Sequence, residues 1–168
     1  MYPTCTGIRL YNMLSEVTLA RLDGQLDCLR SFIAQANVEQ WERKPAPGKW
    51  SARENLAHLA RYHEVFLDRV SRILQEQRPQ FGRYRAEDDG QWPRWSSLDI
   101  ESLLGRIRGL RTQLIHQVSV LSDEQLTRSA IHPVLGEMNI PQWLEFFLLH
   151  EAHHLYTMLF RLREAPRT

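Results

Sequence analysis

Two histidines four residues apart carry the clearest chemical signal in this 168-residue chain. His150 and His154 lie in a segment whose apolar residues repeat with a helical period, and residues at this spacing share one helix face. On a helical wheel starting at Ile140, His154 lies within the apolar face at about 320° and His150 lies on its edge at about 280°. Both imidazoles can therefore reach one divalent ion, which predicts a metal site against a neighbouring helix.

A third ligand has two candidates in an earlier helical segment, His58 and His63. The wheel favours His63, which falls close to the centre of the apolar stripe of that segment. Tyr62 and Val65 widen the stripe towards His58, so that both side chains can reach the interior. The spacing alone does not choose between them.

The segment from His150 to His154 also matches the H-E-x-x-H pattern of zinc proteases, in which Glu151 would be the general base. We treat this as a minor alternative, because such enzymes take a third ligand from downstream and Glu164 is the sole candidate there. Glu151 falls near the centre of the buried face, where isolated carboxylates are rare. We expect it to pair with an arginine such as Arg161, to orient a histidine ligand, or to act as a base on metal-bound water.

The elements that must position these residues are four long helical segments. The first covers about residues 8–37, although Gly24 weakens a helix interior. The second begins after Ser51, which forms a capping box with Glu54, and ends near Arg78.

The second half of the chain contains the other two helices. Residues 79–98 are irregular and predict a long loop, after which Asp99 caps a third helix that continues to about Leu121. Pro141 fits the first turn of a fourth helix, which ends near Leu162. Strand signals are nearly absent, so we predict an all-α fold, a four-helix bundle with two longer connections, in which cofactor sites lie between facing helices.

Composition limits the functional classes. With 43% apolar residues, 24% charged residues and a formal charge of +1, the chain fits one domain over residues 1–168 and lacks the positive field of a nucleic-acid-binding protein. Cys5 and Cys28 are too few for a disulfide framework and suit a reducing compartment. Without a secretion signal or a membrane span, we expect a cytoplasmic protein with a small-molecule substrate, no nucleic-acid partner and no membrane partner.

Two further groups of residues have structural and functional interpretations. Arg106, Arg108 and Arg111 are most simply a solvated basic face of the third helix, and the alternative is a phosphate or nucleotide site. Trp92 and Trp95 lie in the long loop, where they either cover the metal pocket or anchor the loop by packing.

Two segments resemble the signatures of the DinB-like superfamily of four-helix metalloproteins, the group that includes YfiT-like proteins. The first is Gly48–Leu59, which reads Gly-Lys-Trp-Ser-Ala-Arg-Glu-Asn-Leu-Ala-His-Leu. The second runs from His132-Pro-Val-Leu-Gly136 through Trp143 to His150-Glu-Ala-His-His154. Together these segments cover about a quarter of the chain, and the order and lengths of the helices match over nearly all of it.

The resemblance implies that His58, His150 and His154 bind one divalent metal ion, zinc or nickel. It is the resemblance, and not the wheel, that selects His58 over His63. His63 and His153 are then expected to have structural or supporting roles.

Three neutral imidazoles leave a coordination position for water, a thiolate or a substrate. An ion held in this way lowers the pKa of a bound water or holds a thiol as thiolate. Relatives include transferases and isomerases that use low-molecular-weight thiols such as bacillithiol or mycothiol. The resemblance thus implies a homodimeric metal-dependent thiol S-transferase or hydrolase acting on a small electrophilic substrate. The alternative is a non-catalytic, stress-related binding or scaffold bundle with a structural or vestigial metal site.

Overall fold

The computed structural model describes residues 14–164, in which helices dominate and a single short hairpin is present. Long helices account for the predicted four-helix bundle, and shorter ones fill the connections. The helices and strands are, in chain order, α1 (Glu16–Gly24), α2 (Cys28–Gln35), α3 (Val38–Glu42), α4 (Ala52–Gln75), α5 (Trp92–Ser96), α6 (Ile100–Ser119), α7 (Asp123–Leu126), β1 (Ser129–His132), β2 (Gly136–Asn139) and α8 (Ile140–Arg163).

The first bundle segment is interrupted where the sequence contains Gly24. A 3-10 turn over Gln25–Asp27 separates α1 from α2, so the predicted single helix is two helices joined by a tighter turn. Leu22 and Leu29 are nevertheless both buried, because the turn keeps the chain on the same path along the bundle. Residues 8–13 of the predicted helix lie outside the described residues.

The N-terminal cap of α4 is as predicted. Ser51 Oγ accepts a hydrogen bond from the backbone N–H of Glu54 at 3.1 Å, and Glu54 Oε2 accepts one from the N–H of Ser51 at 2.8 Å. The helix ends at Gln75, slightly before the predicted end at Arg78. Arg78 has a φ of 50° and precedes Pro79, which disfavours helical backbone at the residue before it.

The hairpin of β1 and β2 is the main feature that the sequence did not predict. Its strands are four residues long, too short for a period-two pattern to stand out. Tertiary contacts hold it: Ala130 is buried, the N–H of Ile131 donates to the carbonyl of Pro79 at 2.9 Å, and the N–H of Phe81 donates to the carbonyl of Ile131 at 3.1 Å. The hairpin therefore fixes the start of the loop that follows α4.

The core consists of two apolar clusters, and α4, α6 and α8 run through both. The first cluster surrounds Phe66 and Phe147, and the second surrounds Trp41, Leu104 and Met158. Between the clusters, the same three helices contribute polar side chains instead of apolar ones. This polar region is where the predicted functional residues lie.

The outer face of α8 carries the exposed apolar residues Leu149, Tyr156 and Phe160. A homodimer stays a prediction, as does a cytoplasmic location. Within residues 14–164, the helices are too short or too polar to cross a lipid bilayer.

Candidate metal centre

Three imidazoles from two helices meet at the boundary between the clusters. His58 comes from α4, and His150 and His154 come from successive turns of α8. The Nε2 atoms of His58 and His150 are 3.1 Å apart, and one ligand atom from each of the three rings lies within 4.8 Å of the other two. The ring centroids are separated by 4.4 Å for His58 and His154, 4.6 Å for His150 and His154, and 5.1 Å for His58 and His150.

The three imidazoles are neutral at physiological pH. Burial lowers the pKa of His58 to about 4. Burial and the neighbouring histidines lower the pKa of His154 to about 3 and that of His150 to about 2. A metal ligand must offer a lone pair, and an imidazole does so only when it is unprotonated. The cluster is therefore held in the state that a divalent cation requires.

Asn55 fixes the orientation of one imidazole. Its Nδ2 donates to the carbonyl of Ser51 at 2.8 Å, which leaves Oδ1 facing α8. This Oδ1 lies 2.8 Å from Nδ1 of His154 and, being an acceptor, requires the proton of His154 to be on Nδ1. The Nε2 lone pair of His154 is thereby left free to bind a ligand.

A divalent ion fits these residues. Donor nitrogens at zinc–nitrogen distances from one ion lie about 3.4 Å apart in tetrahedral geometry, close to the 3.1 Å between His58 and His150. In addition, the Nδ1 atoms of these two histidines are buried without a hydrogen-bond partner within the described residues. Such a cluster is costly as a purely structural feature, because buried polar groups are normally paired.

Aromatic rings surround the three histidines. The Trp50 ring lies 4.9 Å from the His58 ring and 5.2 Å from the Trp92 ring, and the Tyr62 ring lies 4.2 Å from the His150 ring. Trp92 thus reaches the histidine cluster through Trp50, whereas Trp95 is buried in the second cluster. The Trp50 and Tyr62 rings pack directly against the histidines.

The site opens into a cleft with a volume of about 650 Å³. This volume falls within the range of small-molecule sites. The wall contains the metal-centre histidines, aromatic and apolar side chains, and several charged residues: Trp50, His58, Tyr62, Arg69, Arg83, Tyr84, Arg85, Ala86, Glu87, His132, Val134, Leu135, Phe146, His150 and His154.

Glu151 points away from this cleft into a buried polar network. Its Oε2 accepts a hydrogen bond from Arg111 of α6 and lies 3.3 Å from Nε2 of His63, and its Oε1 accepts one from Gln25 at 2.8 Å. Burial raises the pKa of Glu151, but the contacts with His63 and the charge of Arg111 outweigh it and leave the pKa below its usual value. Glu151 is thus an ionised carboxylate in an ion pair.

Two expectations were wrong: that Glu151 pairs with Arg161, and that Arg111 lies on a solvated face. Arg161 lies near Glu164 instead, at 3.2 Å, and Arg111 is buried although a solvated face was predicted for it. Arg106 and Arg108 are exposed as predicted. Arg111 differs because it lies seven residues after Leu104, which returns it to the apolar stripe of α6.

The remaining predicted residues lie apart from the cluster. His63 is buried, donates from Nδ1 to the carbonyl of Leu59 at 2.8 Å and faces Arg111 with Nε2. His153 is exposed on α8. Glu164, which the protease alternative requires as a ligand, is not part of the histidine cluster, whose third member is His58.

The sequence analysis assigned no role to several residues that line or support the site: Trp50, Asn55 and His132, which lie in the two signature segments, and Arg69, which lies outside them. Asn55 had one available signal: it lies on α4 three residues before His58, where its side chain can face the same neighbouring helix. Arg69 also shares a face with His58, since eleven residues correspond to about three helical turns. Neither signal identifies a partner on another helix.

Comparisons with known proteins agree with this architecture. A family model described as the DinB superfamily matches residues 21–158. A protein of Oceanobacillus iheyensis named "Putative metal-dependent hydrolase OB0413" is 22% identical over 137 residues, which are 82% of this chain and 79% of that protein. A second one, "Putative metal-dependent hydrolase OB0782", is 26% identical over 129 residues, covering 76% of this chain and 73% of its own length.

One solved structure shows the fold directly. YfiT from Bacillus subtilis, described as a probable metal-dependent hydrolase with an unusual four-helix bundle topology, superposes with a TM-score of 0.74. The two chains share 18% identity, and the superposition covers 97% of this chain and 92% of that one. The four-helix bundle is therefore the fold that the two proteins have in common.

Proposed function

This chain belongs to the DinB superfamily, and on that premise we propose that it binds one divalent metal ion through His58, His150 and His154 and hydrolyses a small substrate in the adjoining cleft. The observation that carries the proposal is the convergence of three neutral imidazoles, one buried and two half-buried, on the wall of an open cleft. The names of the two relatives from Oceanobacillus iheyensis support the same activity.

The side chains around the site have defined tasks in this proposal. A bound divalent ion supplies a Lewis acid that lowers the pKa of water and polarises a substrate oxygen. The three histidines hold it without adding negative charge, so the ion keeps its full positive charge. Asn55 orients His154, and the rings of Trp50 and Tyr62 form an apolar wall of the cleft beside the histidines.

Zinc and nickel are the ions that we propose for this site, because imidazole ligands suit both.

A thiol S-transfer reaction is a second candidate for the same centre. All three donors are neutral nitrogens, so a thiolate from a small thiol such as bacillithiol or mycothiol would be the first anionic ligand and would be strongly attracted. The two reactions differ in whether the activity depends on added thiol.

Metal analysis of purified variants tests the binding site. We expect about one ion per chain in the unmodified protein and a large loss of affinity in His58→Ala and in His150→Ala. His153→Ala is the matched control, since His153 lies on the same helix but is exposed and outside the cluster. Full occupancy in the double variant His58→Ala, His150→Ala would refute the site.

Activity assays on the metal-loaded protein test the reaction. Metal-dependent hydrolysis of esters or amides without added thiol supports the hydrolase, and conjugation of electrophiles only with thiol supports the transferase. Suppose that neither occurs and that chelation lowers only the melting temperature. The site is then structural, and the alternative of a non-catalytic binding or scaffold bundle replaces both proposals.

A further inference from the structure

We propose that the substrate of this site carries an anionic group, a carboxylate or a phosphate, which the Arg69 guanidinium binds within the cleft with Arg83 at its rim. This inference rests on the proposed function and adds the chemical class of the substrate. It is carried by a buried positive charge that has no carboxylate partner within residues 14–164.

Arg69 lies on α4, lines the cleft and is only 7% exposed. One of its terminal nitrogens donates to the hydroxyl of Tyr62 at 3.2 Å, and the other donates to the carbonyl of Gly82 at 2.9 Å. A guanidinium has five N–H donors, so most of them remain available. Among residues 14–164, no carboxylate lies within salt-bridge distance of Arg69.

Arg111, which is also buried, has a partner of opposite charge, unlike Arg69. Arg111 is 5% exposed and forms an ion pair with Glu151, which neutralises its charge. Arg69 instead contacts aromatic rings, with its guanidinium carbon 5.3 Å from the centre of the Phe81 ring and 5.8 Å from that of Tyr62. Cation–π contacts of this kind stabilise a guanidinium, but unlike a carboxylate they do not neutralise its charge.

Arg69 and the metal centre belong to the same cleft. His58 and Arg69 are eleven residues apart in sequence, which places them on one face of α4. Their Cα atoms are separated by about 16 Å along the helix axis. Tyr62 lies between them: its ring is 4.2 Å from the His150 ring and its hydroxyl contacts Arg69. A small molecule whose anionic group binds Arg69 can extend along Tyr62 and present its other end to the histidines.

The charges at the rim favour the same class of ligand. Arg83 is exposed and has no ion-pair partner within the described residues, and Arg85 lies 3.5 Å from Asp88. Within residues 14–164, Glu87 is the one carboxylate that lines the cleft. The arginines of the lining therefore outnumber its carboxylates, and a positive cleft concentrates anions.

Anion binding to metal-free protein tests the inference. The metal is removed with the uncharged chelator 1,10-phenanthroline, because a bound ion would itself attract carboxylates. Glutarate, inorganic phosphate and the uncharged glutaramide are then titrated by calorimetry. We expect glutarate or phosphate to bind and glutaramide not to bind, and the stronger of the two anions identifies the group.

Matched arginine variants locate that binding. Arg69→Met replaces the guanidinium with a shorter, unbranched apolar side chain that can still pack against the aromatic rings, and we expect the anion to bind about tenfold or more weakly, as for loss of a charge-assisted hydrogen bond. Arg83→Met changes an exposed residue of the rim and is expected to weaken binding several-fold. Arg108→Met removes an exposed charge outside the cleft and is expected to have no effect. Equal affinities in all three variants, or no anion binding by the unmodified protein, would overturn the inference.

A kinetic comparison separates this inference from the proposed function. In metal-loaded protein, we expect the mono-4-nitrophenyl ester of glutarate to have a higher kcat/KM than 4-nitrophenyl acetate, and we expect Arg69→Met to reduce that ratio about tenfold. If both esters are hydrolysed with an unchanged ratio, the function stands and the anion site fails. If neither is hydrolysed but Arg69-dependent anion binding persists, the anion site stands and the hydrolase proposal fails.

Discussion

The imidazole of His154 donates its Nδ1 proton to Oδ1 of Asn55 at 2.8 Å, across the interface between α8 and α4. The Asn55 amide cannot turn over without losing its bond to the carbonyl of Ser51. The cap of α4 therefore determines, through one side chain, which nitrogen of a histidine on another helix faces the candidate metal site.

Substitution of Asn55 is expected to weaken metal binding without removing a ligand. Asn55→Leu leaves His154 free to rotate and to change tautomer, and we expect the metal affinity to fall about 10–100-fold. Asn55→Asp keeps an acceptor at the same place and is expected to retain most of the affinity. Competition with a chromophoric chelator measures both values, and equal affinities in Asn55→Leu and the unmodified protein would show that this contact does not support the site.

The stability of the metal-free protein is expected to decrease as the pH falls below about 6.5. The unfolded chain then takes up protons on its histidines, whereas folded His58 and His154 stay neutral until about pH 4 and about pH 3. Each contributes a slope of up to about 1.4 kcal/mol per pH unit in this window. Urea denaturation between pH 7 and pH 4.5 measures the slope.

Two glutamine variants check the origin of that slope. His154→Gln is expected to make the pH dependence shallower, because one depressed pKa has been removed. His116→Gln alters an exposed histidine of α6 and is expected to leave the pH dependence of stability unchanged. A slope that is the same in both variants would assign the pH dependence to other groups.

Loss of the Glu151 carboxylate is expected to destabilise the bundle. Glu151→Ala leaves the buried guanidinium of Arg111 without its partner, which costs about 3–5 kcal/mol. The double variant Glu151→Leu, Arg111→Met is expected to recover most of that loss, since both charges are gone. Urea denaturation gives the free energies of unfolding.

The surface pair of Glu145 and Arg21 provides a matched comparison. Their side chains are 2.6 Å apart and partly exposed, so we expect Glu145→Ala to cost at most about 1 kcal/mol. We also expect Glu151→Ala to keep its metal affinity, because Glu151 faces α6 and not the histidine cluster. A selective loss of metal binding in a stable Glu151 variant would contradict this separation.

Trp50 is expected to report metal binding by fluorescence. Its ring lies 4.9 Å from that of His58 and 6.3 Å from that of His154, so a paramagnetic ion such as Ni²⁺ at the site quenches it efficiently. Trp50→Phe is expected to remove most of the quenching. Trp41→Phe alters a buried residue that has no contact with the histidines, and this variant is expected to keep the quenching. Equal quenching in both variants would place the ion elsewhere.

The bundle helices could be predicted because their signals are local. The capping box of Ser51 and Glu54, the Asp99 cap and the apolar period of α6 each involve residues within a few positions of one another. The hairpin could not be predicted in this way, and α3, although Asn37 and Gln40 form a local capping box, is too short for an apolar period to stand out. Ala130 in β1 and Trp41 in α3 are buried by contacts with distant parts of the chain, and such contacts leave no periodic pattern in a segment of four or five residues.

For the candidate site, the sequence by itself determined that His150 and His154 share a face, since their spacing is set by one helix. Helix periodicity did not determine which histidine of α4 faces them and favoured His63, whereas the resemblance to the DinB-like signatures selected His58. Only the tertiary structure shows the contact of His58 with the pair and that of His63 with Arg111. The rotation of α4 relative to α8 depends on packing between residues about ninety positions apart. A local sequence pattern therefore cannot predict it.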